Sequence, residues 1–175
     1  MKFLAAVLLL ALASPAASKV VSSGEHGFEL SYSHVFPGTP ADVMDAFKNV
    51  EQWWNPDHTY SGNPENLSMA LQPGGCFCEK LTAGGGIEHM RVAYVDPGKR
   101  LVLTGSLGPL LYEATTGVLD VQFVKLAHGT RVDATYKVAG FAKGGAAKLA
   151  PLVDEVMGEQ LTRFAVYATP PKPAS

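Results

Sequence analysis

The residues with chemical potential in this chain are few and scattered. There are five histidines, His26, His34, His58, His89 and His128, and two cysteines, Cys76 and Cys78. Metal sites draw on His, Cys and carboxylates, often as paired ligands at short spacing on one element. No two histidines are spaced that way. Cys76 and Cys78 could join His89 across neighbouring strands as a soft-metal set, although ordinary packing accounts for these residues as well. No Gly-x-Ser-x-Gly elbow marks a nucleophilic serine, and no Walker A pattern marks a phosphate loop. The remaining candidates are general acids and bases. Glu88, His89 and Arg91 lie in one strand-like segment, and His58 lies in Asp57-His58-Thr59-Tyr60 just after a double tryptophan. A buried Glu or His can transfer protons when its environment tunes it toward neutrality. Alternation is poor around Glu88–Arg91, so either face of that segment can point inward.

These residues need elements to hold them. Phe28, Leu30 and Tyr32 alternate through Gly27–Phe36 and predict a strand. Thr39 fits an N-cap and Pro40 the first helical position, with Val43, Met44, Phe47 and Val50 at helical spacing behind them. A second short helix or turn holds Trp53 and Trp54. Adjacent helical residues do not share a face, so one tryptophan is expected in the core and the other near a rim. Strands then follow at about Leu67–Leu71, Cys76–Leu81, Ile87–Val95, Arg100–Gly105, Thr115–Leu126 and Thr130–Val138. The last alternates most cleanly, with Val132, Ala134, Tyr136 and Val138 opposite Arg131, Asp133, Thr135 and Lys137. Val153, Val156, Met157, Gln160, Leu161, Phe164 and Tyr167 repeat at three and four residues, the stripe of a long amphipathic helix. The order predicts an α+β fold in which an antiparallel sheet of six to seven strands curves around a long C-terminal helix. Two short helices follow the first strand. Space between such a sheet and helix is a natural small-molecule site.

Cys76 and Cys78 fall on one strand face, with Cα atoms about 6.5 Å apart, near the limit for a bridge. A bridge would need a kink there, which Gly74-Gly75 permits. Free thiols, an intermolecular bond and a bridge all stay open, and two small half-buried side chains suffice to explain the pair.

Composition sets limits on partners. Net charge is -2 and pI about 6.2, so no basic footprint for nucleic acid is present. Lys2 precedes an apolar run, Phe3–Ala13, and the small residues Ser14-Pro15-Ala16-Ala17-Ser18. This is the pattern of a signal peptide over 1–18, cut near Ala16 to Ser18. The run is shorter than the roughly 20 residues that span a bilayer. A periplasmic or secreted bacterial product is expected, comprising one domain over 26–168 and a Pro-rich disordered tail over 169–175.

Several local patterns occur in a telling order: Pro40-Ala41-Asp42-Val43, Trp53-Trp54-Asn55-Pro56, Pro73-Gly74-Gly75-Cys76-Phe77, Val95-Asp96-Pro97-Gly98-Lys99-Arg100-Leu101, Gly129-Thr130-Arg131-Val132 and the terminal helix. Together they resemble the START-like, or SRPBCC, superfamily, and within it the activator of Hsp90 ATPase branch, which is related to polyketide cyclases. The resemblance implies a helix-grip fold around a deep cavity. Hsp90 itself does not carry over, because that partner is cytosolic and this chain is expected to be exported. The expectation is a binding protein for a small hydrophobic or amphipathic molecule, such as a lipid. Trp54, Phe77, Met90, Tyr94, Leu103, Phe123, Tyr136, Met157 and Phe164 are the lining candidates, and His58, Glu88 and His89 the polar ones. No metal, cofactor or nucleic acid is expected, nor any membrane span in the mature form. A cyclase- or hydrolase-type enzyme using a cavity His or Glu is one alternative. An extracytoplasmic protein-interaction module is the other.

Overall fold

The computed structural model describes residues 19–169; the expected signal peptide and all but the first residue of the tail lie outside them. Eight strands form one open antiparallel sheet: β1 Lys19–Gly24, β2 Gly27–Phe36, β3 Leu67–Met69, β4 Cys76–Lys80, β5 Gly86–Asp96, β6 Arg100–Gly105, β7 Ala114–Lys125 and β8 Thr130–Phe141. Their spatial order is β1-β2-β8-β7-β6-β5-β4-β3. From β3 to β8 the chain runs as a meander, and β2 closes onto β8. The count exceeds the expected six to seven because Val20 and its neighbours pair with β2 as a hairpin. A run this short, with polar Ser22 and Ser23, carries no clear alternation, so its pairing comes from the neighbouring strand.

Helices α1 (Pro40–Lys48) and α2 (Val50–Trp53) sit between β2 and β3, and α3 (Ala150–Tyr167) ends the domain. Thr39 caps α1 through a reciprocal box with Asp42, and Pro40 occupies the first turn. The sheet and the two short helices meet α3 at Phe164, whose ring lies 4.9–5.2 Å from those of Phe36, Phe47 and Trp53. Polar contacts fix the register of α3. The Tyr32 hydroxyl donates to Asp154 Oδ1 at 2.9 Å, the Asn55 N–H donates to Gln160 Oε1 at 2.8 Å, and Arg163 Nε donates to the Trp53 carbonyl at 2.9 Å. These bonds hold the segment after α2 against the helix, and that segment frames the site.

Much of the expected sheet-to-helix space is filled. Met90, Leu103, Phe123, Tyr136 and Phe164 are all buried in one continuous core with Phe77. The gap left beside Phe77 holds only about 20 Å³, room for a single water. These six candidates are therefore core residues before anything else, because large aromatic and branched side chains from both layers interdigitate at interior density.

Candidate functional site

A larger cavity of about 460 Å³ lies at one end of the domain. Its walls are the chain from Trp54 to Tyr60, the β6–β7 loop around Leu107 and Leu110, and the first half of α3 through Val153, Val156 and Met157. His89 is the one strand residue on its surface. The volume falls in the range of about 300–1,000 Å³ common to small-molecule sites.

His89 reaches the cavity because β5 is bulged. Phe77 pairs with Met90 and Cys78 with Glu88, so His89 is the extra residue. The bulge turns His89 and Met90 inward together, and both are buried. It also brings the chain close to β6: a Cβ on Gly105, whose φ is +148°, would stand 2.6 Å from the His89 carbonyl oxygen. Glycine is the residue this approach allows. A second bulge, at Ala93, shifts the phase again before β6. Tyr94 consequently points outward and is 49% exposed, which corrects its expected place in the lining. Glu88 is corrected likewise: it lies on the outer face and pairs with Arg91.

The inward polar partner is Glu79 of β4, whose side chain is fully covered. Its Oε2 lies 3.0 Å from His89 Nε2, and Oε1 accepts the Ser61 N–H. Burial pushes the Glu79 carboxyl up, but hydrogen bonds from Ser61, the Tyr60 backbone and His89 outweigh it and hold the group below the usual carboxylate range. His89 moves down as well, because burial outweighs the attraction of Glu79. At neutral pH the pair is therefore a carboxylate and a neutral imidazole. An ionised carboxylate only accepts, so the imidazole proton sits on Nε2. Nδ1 then carries the lone pair and has no hydrogen-bond partner among the described residues. The ring packs against Phe77 and Tyr60, with centroids at 5.1 and 5.9 Å. Burial first, and then the Tyr112 phenol beside it, raise Tyr60 so that it stays a hydroxyl donor.

His58 also lines the cavity, and its Nε2 lies 3.0 Å from Glu159 Oε2. Trp54 is half-buried against Phe77 and on the cavity wall, whereas Trp53 lies in the core. Of the expected site residues, Trp54, His58, His89 and Met157 thus meet at one cavity. Glu79 was missed, yet alternation through Cys76–Lys80 places it on the face of Phe77, so its signal was present in the sequence. The soft-metal set does not form. Cys76 and Cys78 are joined in a disulfide, with Cα atoms 5.3 Å apart, on the face opposite Phe77 and Glu79. The register shift at Phe77/Cys78 supplies the kink that such a bridge needs. Among the described residues no cluster of three His, Cys, Asp or Glu side chains could hold a metal ion.

No family profile matches the chain, and no curated protein matches its sequence. Solved structures share its fold. An uncharacterized protein from Rhizobium leguminosarum superposes with a TM-score of 0.60 at 17% identity, covering 81% of this chain and 94% of that one. The Mll3558 protein from Rhizobium loti gives 0.61 at 19% identity, over 81% of this chain and 96% of its own. The di-domain ARO/CYC StfQ from the steffimycin biosynthetic pathway gives 0.54 at 13% identity, over 82% of this chain and 51% of that protein.

Proposed function

We propose that this chain is an exported START-like protein that binds a small amphipathic molecule in the cavity beside α3. One observation carries the reading. A cavity of about 460 Å³ has walls dominated by Leu107, Leu110, Leu149, Val153, Val156 and Met157, with His89 at one point of its surface and Glu79 buried behind it. Apolar walls drive association, and a few placed polar groups orient the ligand. The fold likeness to the di-domain ARO/CYC StfQ from the steffimycin biosynthetic pathway is in keeping with a small-molecule role. Export rests on the N-terminal pattern, and the Cys76–Cys78 bridge fits an oxidising compartment. No helix among the described residues is long and apolar enough to cross a membrane.

The test uses 1-anilinonaphthalene-8-sulfonate as probe. Wild-type protein takes it up at one saturable site, and Val156→Trp, which fills the cavity from α3, weakens uptake at least about tenfold. Equal uptake by a folded Val156→Trp protein would refute the reading.

A further inference from the structure

We infer that His89 and Glu79 form a working general-base dyad, so that the cavity takes a ligand with an acidic C–H beside a carbonyl and moves that proton. The inference rests on the cavity reading above and adds chemistry to it. Three features of the geometry support it. The bulge spends an irregularity of β5 on turning one imidazole toward the cavity, when plain alternation would have left it on the outer face. The imidazole is then held from behind: Glu79 takes Nε2–H, and two aromatic rings restrict the ring plane. Finally, the edge left over is the basic one. A His held only for structure would use both nitrogens or cover the second in apolar packing. Here Nδ1 is unpartnered among the described residues on a residue that lines a cavity.

The step balances without any co-reactant. The substrate C–H bond breaks, the proton passes to His89 Nδ1, and the electron pair moves onto the carbonyl oxygen as an enolate. The imidazolium so formed is stabilised by the Glu79 carboxylate. Tyr60, kept as a hydroxyl on the same cavity wall, can donate to the developing negative oxygen. Return of the proton to the same or a conjugated carbon completes an exchange or an isomerisation. The charged and titratable groups around His89 are Glu79 from β4, Asp57, His58 and Tyr60 from the segment after α2, and Tyr112 and Glu113 from the β6–β7 loop; the wall from α3 is apolar.

A generic carbon acid tests the dyad without knowledge of the natural ligand. 5-Nitrobenzisoxazole releases a coloured phenolate when a base removes its ring C–H, because the N–O bond breaks as the nitrile forms. The wild type is expected to exceed an equal concentration of free imidazole by about 10²–10⁴-fold. Its rate rises with pH as His89 loses its proton. His89→Gln removes the excess. Glu79→Gln removes most of it and moves the inflection to lower pH, because the carboxylate that favours the imidazolium is gone. His128→Gln, in the exposed β7–β8 turn, keeps the full rate. A wild-type rate no higher than that of His89→Gln overturns the inference, as does an inflection unmoved in Glu79→Gln. Uptake of 1-anilinonaphthalene-8-sulfonate by the same samples reports folding and the cavity separately. An inert protein that still takes up the dye loses the dyad and keeps the binding function.

Discussion

Replacing Glu79 by Ala should destabilise this protein far more than any surface carboxylate would. The side chain is fully covered, and its two oxygens answer His89 Nε2 and the backbone at Ser61 and Tyr60. Removal leaves these donors facing a void. Each stranded buried donor costs about 1–3 kcal/mol, and the three left here, partly rehydrated in the void, cost about 3–5 kcal/mol together. For a domain of this size, 1 kcal/mol shifts the melting midpoint by about 2–4 °C, so the fall should be about 6–20 °C. Glu79→Gln keeps one acceptor oxygen and should lose less than the Ala variant. In a cycle with His89→Phe, the two losses should not add, because the partner of each is already gone in the other. Urea unfolding at neutral pH, followed by circular dichroism, measures the wild type, the three single variants and the double variant. A loss below about 0.5 kcal/mol for Glu79→Ala, the range of ordinary surface changes, would refute the picture of a buried, fully engaged carboxylate.

Acidification should destabilise the fold in two stages. Both His89 and Glu79 are held below their ordinary values of 6.5 and 4.5. The unfolded chain therefore binds protons first, and stability falls as pH drops below about 6.5 for the histidine and below about 4.5 for the carboxylate. Each group contributes a slope of at most about 1.4 kcal/mol per pH unit. Urea midpoints between pH 8 and 4 check this, and a midpoint rising with acid in that range would contradict it. Reducing Cys76–Cys78 opens a loop of three residues, and chain entropy puts the loss near 1.6 kcal/mol. The same reduction should shift the His89 ring resonances, since the bridge spans the kink opposite the bulge; unchanged resonances would disconnect the two. Gly105→Ala should cost more than 1 kcal/mol, because its Cβ would meet the His89 backbone at 2.6 Å. A neutral substitution would mean that β5 and β6 separate easily at the bulge.

Regular stretches were legible in the sequence and irregular ones were not. Thr130–Val138 alternates without interruption, and its inner face packs as expected through Val132, Ala134, Tyr136 and Val138. Thr39, Pro40 and the split of the two adjacent tryptophans between core and rim followed from local rules alone; that Trp53 is the core one did not. The site failed where period-two reading fails. A bulge inserts one residue and reverses every later assignment, and β5 has two bulges. That is why Tyr94 counts among the lining candidates and why alternation leaves open which of Glu88 and His89 turns inward. The cavity itself comes from the β6–β7 loop and the segment after α2, whose shapes depend on tertiary contacts such as Asn55 with Gln160. Strand faces therefore suggested a lining that the protein uses as core, and Cys76 and Cys78 could be paired only once the kink between them was seen.

Native mass spectrometry of the mature protein, purified from its own host without denaturation, tests the binding function most directly. The wild type is expected to carry a non-covalent small-molecule adduct that is lost from Val156→Trp. A wild type free of any adduct, or an adduct carried equally by a folded Val156→Trp protein, would contradict it.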